Sequence, residues 1–138
     1  MTPRDSQDSD DSRPALLVSR NADVVDLYVL ALRTARVPLL SVGELDEAVQ
    51  LIRDRSVTAV IVDVAEPGID WEVCRLLHSQ LAERVPLIVL TGWIDANARS
   101  LASDMGCAAF VAKPASPDCL RDVIRRTRLG ERGIVVID

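Results

Sequence analysis

A parallel α/β sandwich, one sheet covered by helices on both faces, is the fold this sequence predicts. Five short apolar runs alternate strictly with five segments of helical period, the signature of β-α units joined by right-handed crossovers. The runs are continuous Val, Leu, Ile and Ala, as in strands buried on both faces, with no alternation of apolar and polar residues. The 138 residues are 49% hydrophobic but only 3% aromatic, enough for one aliphatic core.

Residues 1–13 (MTPRDSQDSDDSR) are Asp- and Ser-rich. They cannot bury enough surface to offset ordering entropy and are expected to be a disordered acidic tail. Order begins near Pro14, and a single domain over 14–129 follows. Its first strand is Ala15-Leu16-Leu17-Val18, and Val25, Tyr28, Val29 and Leu32 then mark a helix at i, i+3, i+4, i+7. A second strand fits 37–42, with Pro38 at its start, where a missing N–H is tolerated. Leu45, Ala48, Val49 and Ile52 form the second helical stripe.

The third run, 59–62, ends at Asp63 and a turn-forming Glu66-Pro67-Gly68. Val73, Leu76, Leu77 and Leu81 make the third helix. The fourth run, 87–90, ends at Thr91-Gly92. Ala98, Leu101, Ala102 and Met105 make the fourth helix, which Gly106 closes from the C′ position. The fifth run, 108–111, leads to Lys113-Pro114. Ser116 caps the last helix, Pro117 occupies its first turn, and Leu120, Val123 and Ile124 form its stripe. Residues 130–138 are a C-terminal extension whose apolar run, 134–137, reads either as an edge strand or as the stub of a linker.

Charge and cysteine usage narrow the function. The net charge is −5 and the pI about 4.9, which argues against nucleic acid as a partner, since phosphate affinity needs clustered Lys and Arg. Arg121, Arg125, Arg126 and Arg128 form a local basic set on the last helix, read here as a solvated helix face. Cys74, Cys107 and Cys119 form no CxxC pair, and with His78 as the single histidine there are too few ligands for a zinc site. Unpaired thiols, no secretory signal and no run of membrane-spanning length point to a cytoplasmic protein.

In an open parallel sheet, sites form beyond the carboxyl ends of the strands. Ser19, Arg20 and Asn21 follow the first strand, Asp63 the third, Thr91 the fourth and Lys113 the fifth. One carboxylate, one hydroxyl and one ammonium on one rim suit phosphoryl chemistry on an aspartate. Asp63 would be the nucleophile, Thr91 a hydrogen-bond donor to a phosphoryl oxygen, and Lys113 the neutralising charge. A lone Asp before a turn is ordinarily turn chemistry; three such residues at the ends of successive strands are harder to attribute to chance.

These residues resemble the response-regulator receiver domains of two-component phosphorelays. The resemblance spans residues 14 to about 129 and rests on AVIVDVAEPGID, LIVLTG and FVAKP. It implies a flavodoxin-like (βα)5 sandwich with strand order 2-1-3-4-5. It also implies Asp63 as phosphoacceptor, Thr91 and Phe110 as switch residues and Lys113 as phosphate partner, and it allows a cis bond at Lys113-Pro114. A histidine kinase or other signalling protein would dock on the helix 4–strand 5–helix 5 face, with a homodimer as a further option.

The departures are as specific. Family members carry an acidic pair after strand one that holds Mg²⁺; here those positions are Ser19 and Arg20. Mg²⁺ needs several hard oxygen ligands, so no metal site is expected and Mg²⁺ should bind weakly or not at all. Arg20 is expected to take the metal's place by pairing with Asp63. Trp93, two residues after the switch threonine, is read as a shield over the site or a partner-binding ridge; Trp71, Cys107 and Tyr28 are read as packing. The leading reading is an atypical, non-enzymatic receiver working through protein contacts. The alternatives are a conventional phosphorylatable receiver and a small parallel α/β enzyme. No GxGxxG, GxxxxGK[ST] or GxSxG supports the latter.

Overall fold

The computed structural model describes residues 13–137; the expected acidic tail lies outside them except for Arg13. Six strands and five helices alternate along the chain. In order they are β1 (Ala15–Val18), α1 (Ala22–Thr34), β2 (Leu39–Val42), α2 (Leu45–Asp54), β3 (Val60–Val64), α3 (Pro67–Gln80), β4 (Leu87–Thr91), α4 (Ala96–Met105), β5 (Ala109–Ala112), α5 (Pro117–Arg128) and β6 (Ile134–Val136). All strand pairs are parallel, in the order β2-β1-β3-β4-β5-β6. The expected order holds for the first five strands, and the C-terminal run becomes a sixth, beside β5, with Ala109 opposite Ile134 and Phe110 opposite Val135.

Side-chain alternation along the strands splits the core in two. Ala15, Leu17, Ile61, Ile88, Leu90 and Val111 face α1 and α5, which contribute Tyr28, Leu32, Leu120, Val123 and Ile124. Leu16, Val60, Val62, Val64, Val89 and Phe110 face α2, α3 and α4, which contribute Ala48, Cys74, Leu77, Ala98 and Ala102. Asp118 in the first turn of α5 and Arg125, Arg126 and Arg128 in its last complement the helix dipole.

Several boundaries differ from the sequence expectation. β2 starts at Leu39, because Pro38 has no N–H and contributes only its carbonyl, which accepts from Ala15 N at 3.0 Å. Asp63 lies inside β3 and not after it, with the ladder running through Asp63↔Leu90 and Val64↔Thr91. The expected turn at Glu66-Pro67-Gly68 becomes the first turn of α3, since proline is well suited to a helix start. Leu76 and Leu101 are each 42% exposed; the buried apolar positions of α3 and α4 are Cys74, Leu77, Ala98 and Ala102.

Candidate functional site

The carboxyl ends of β1, β3, β4 and β5 bring together the residues singled out from the sequence. Asp63 is buried, its side chain 1% exposed. Ser19 Oγ donates to Asp63 Oδ2 at 2.7 Å, and the Lys113 ammonium forms an ion pair with Oδ1. One carboxylate oxygen thus faces a donor at the end of the adjacent β1, and the other a cation just past β5, two strands away in the sheet. Ser19 Oγ also accepts from Asn21 N at 3.1 Å. Asn21 in turn caps α1, accepting from Asp23 N at 2.9 Å and Val24 N at 3.3 Å.

Arg20 does not pair with Asp63, contrary to the sequence expectation. Its guanidinium reaches Asp70 Oδ1 at 3.3 Å, with the side chain 47% exposed. Its neighbour in the chain, Ser19, makes the contact with Asp63 instead. Successive residues leaving a strand point to opposite sides, so only one of the two can face that carboxylate.

Asp70 is the residue that sequence reasoning missed. It is buried, and its Oδ2 accepts from Ala65 N at 2.9 Å and Glu66 N at 2.7 Å. One carboxylate thus fixes the β3–α3 loop and holds Arg20 over it. An aspartate at the first turn of a helix following a strand is the available signal.

Thr91 is fully buried, and its hydroxyl is engaged on both sides. Oγ1 donates to the Val64 carbonyl at 2.8 Å and accepts from Trp93 N at 3.0 Å. Trp93, 50% exposed, donates Nε1 to the Ala65 carbonyl at 3.2 Å. Its indole therefore spans from the β4–α4 loop to the β3–α3 loop, at the rim the sequence pointed to. Trp71 packs half-buried against the α2–α4 side of the core. Phe110 is buried on that same side, within a strand that is no longer an edge.

The Lys113–Pro114 bond is cis. Tyr28, buried on α1, donates its hydroxyl to the Ala115 carbonyl at 2.6 Å. It is a core residue, as expected, but one that also ties down the loop carrying Lys113. Burial pushes the Tyr28 phenol up from its ordinary value.

A cleft of about 640 Å³ opens beside Asp63, between the ends of β1 and β3 and the starts of α1, α2 and α3. Its polar lining includes Ser19, Arg20, Glu44, Asp63, Glu66 and Asp70. Among the described residues, no three His, Cys, Asp or Glu side chains are grouped so as to hold a metal ion. Also among them, no helix is long and apolar enough to cross a membrane.

Residues 15–125 match the family described as response regulator receiver domain. The chain is 37% identical over 91 residues to the C4-dicarboxylate transport transcriptional regulatory protein DctD of Pseudomonas aeruginosa, covering 63% of this chain and 20% of that protein. It is 25% identical over 114 residues to the DNA-binding response regulator MtrA of Mycolicibacterium paratuberculosis, covering 82% of this chain and 48% of the relative. The chain thus spans about half the length, or less, of these curated relatives. A response-regulator crystal structure from Chloroflexus aurantiacus superposes with a TM-score of 0.74 at 27% identity, covering 85% of this chain and 98% of the other.

Proposed function

The chain belongs to the response regulator receiver domain family, and on that premise we propose that it is an atypical receiver whose Asp63 site works without Mg²⁺ and whose output is protein contact. The observation that carries this reading is the state of Asp63: Ser19 and Lys113 occupy its two oxygens, and Ser19 and Arg20 stand where a metal-binding acidic pair is expected. A hard divalent cation needs several oxygen ligands in near-octahedral array. One carboxylate already paired with an ammonium, beside a hydroxyl and a guanidinium, does not fit that requirement.

The remaining chemistry suits acceptance and sensing of a phosphoryl group by a module that is not itself a catalyst. Asp63 is the nucleophile position, Lys113 supplies a fixed positive charge, and Thr91 and Phe110 sit where a charge change can be read into packing. The setting is cytoplasmic. The partner is a histidine kinase or another regulator, met across the side of the sheet between α4 and α5, where β6 now forms the edge. The retention of Asp63, Thr91 and Lys113 together favours a second reading, a conventional phosphorylatable receiver.

Acetyl phosphate or phosphoramidate, with and without Mg²⁺, followed by intact mass separates the two. The atypical reading expects no Mg²⁺-dependent gain in the native chain, and Mg²⁺ binding acquired by Arg20→Asp. Efficient Mg²⁺-dependent addition of one phosphoryl group to the native chain, lost in Asp63→Asn, would establish the conventional reading instead.

A further inference from the structure

Parallel strands with antiparallel crossover helices give this domain two electrostatically distinct ends. First helical turns carry Asp23 in α1, Asp46 and Glu47 in α2, Asp70 in α3 and Asp118 in α5; last turns carry Arg33, Arg53, and Arg125, Arg126 and Arg128. Acids therefore collect around the carboxyl ends of the strands, and arginines around the amino ends. In the layer formed by α1 and α5, the amino-end pole holds Arg33, Arg36 and Arg125, all exposed, together with Arg132 in the α5–β6 link.

Part of that charge is already neutralised. Arg126 is engaged by Asp122 and by Glu131, and the Arg126 guanidinium holds the Glu131 carboxyl below its usual range. Arg125 has no ion pair among the described residues. Arg132 donates to two carbonyls, Thr127 O at 3.0 Å and Glu131 O at 2.9 Å, and to no carboxylate among the described residues. Exposed cations on an otherwise acidic protein offer a complementary surface to an acidic segment held nearby.

The chain supplies one at the same pole. Pro14 is fixed at the amino end of the sheet, its carbonyl accepting from Thr58 N at 2.9 Å. Ahead of it, residues 5–11 contain Asp5, Asp8, Asp10 and Asp11. We propose that this acidic segment docks in cis on the arginine pole of its own domain, with Arg125 and Arg132 as its main contacts.

Reach and concentration both allow it. Four strand spacings of about 4.8 Å place β6, which Arg132 precedes, roughly 19 Å from β1 across the sheet. The four aspartates lie three to nine residues before Pro14, within about 10–30 Å of it when the chain is extended. A tether this short confers an effective concentration in the millimolar range, so weak charge pairing suffices. The docked segment would shield a basic surface that could attract phosphate-rich or acidic partners.

The test compares amide NMR spectra of the full chain with those of a version carrying Asp5→Asn, Asp8→Asn, Asp10→Asn and Asp11→Asn. At about 0.01 M salt the amides of residues 125–133 should differ between the two. The difference should vanish near 1 M, where the screening length falls from about 30 Å to about 3 Å. In the reciprocal variant, Arg125→Gln with Arg132→Gln, the amides of residues 5–11 should lose their own salt dependence. Identical spectra over residues 125–133 at low salt would overturn the proposal. So would a difference that grows with protein concentration, which would place the segment on a second copy. A short duplex DNA that shifts these amides equally in both chains, with no tail-dependent difference, would assign the pole to nucleic acid and overturn it as well.

Discussion

Ser19 Oγ donates a 2.7 Å hydrogen bond to Asp63 Oδ2, joining the end of β1 to the end of β3 inside the protein. A buried carboxylate oxygen stripped of its donor costs the desolvation of that group, about 1–3 kcal/mol. Ser19→Ala should therefore lower the unfolding free energy by that much, seen as a lower urea midpoint at unchanged slope in equilibrium unfolding. An unchanged midpoint would show that the serine contributes nothing to holding Asp63.

The Lys113–Asp63 pair is more strongly coupled. Its carboxylate is 1% exposed and its ammonium 26% exposed. Removing the cation alone strands a buried charge, so Lys113→Met should destabilise by about 3 kcal/mol. Adding Asp63→Asn to Lys113→Met should recover part of that loss. A double-mutant cycle by chemical unfolding should return about 1–3 kcal/mol of coupling; strict additivity would mean that the two groups do not act as a pair.

Three helices end in the same pattern of crossed backbone bonds, but only two use glycine. In α4 and α5 the left-handed residues are Gly106 at φ 89° and Gly130 at φ 101°; in α1 the residue is Arg36 at φ 66°. Arg36 N reaches Arg33 O at 3.0 Å and Val37 N reaches Leu32 O at 2.8 Å, the two bonds of a Schellman end. A side chain in that conformation costs about 1–2 kcal/mol, partly offset by glycine's greater freedom when unfolded. Arg36→Gly should raise stability by about 0.5–1 kcal/mol, and thermal unfolding would detect a rise of a few degrees.

Alkaline pH should weaken the fold through the cysteines. Burial pushes the Cys107 thiol from 9.0 up to about 11, and burial also raises Cys74. The folded state thus holds these protons more tightly than the unfolded chain. The stabilisation from Cys107 is complete below pH 9 and is lost as the pH rises towards 11, while that from Cys74 goes on falling at higher pH. For Cys107 the full loss is on the order of 2 kcal/mol. Cys107→Ala should flatten the fall in stability between pH 9 and pH 11; an equally steep fall in that variant would contradict it.

The positions of Asp63, Thr91 and Lys113 were legible in the sequence because strand ends are announced by loss of apolar character, whereas Phe110, inside a strand, was singled out only by the family resemblance. The strand order was legible from the family resemblance. Contacts were less so. Asp70 lies in a segment that reads as a turn, and nothing local shows that one of its oxygens accepts two backbone N–H groups. The partner of Arg20 depends on which way successive residues splay beyond β1, a choice of side-chain direction that residue types do not encode. Leu76 and Leu101 match the helical period yet lie at the margins of the apolar stripes, where a shift of a few tens of degrees decides between core and solvent. β6 could not be told from a linker, because three apolar residues form a strand only when a neighbour's edge is open to them.

The sixth strand limits how a signal can cross this domain. β5 has a partner on both sides, β4 and β6, and Phe110 lies in both ladders, opposite Val89 and Val135. A strand bonded along both edges cannot slide or tilt without breaking two rows of backbone bonds at once. A change of rotamer at Phe110 leaves both of these ladders intact, whereas a shift of the β5 backbone would have to break them.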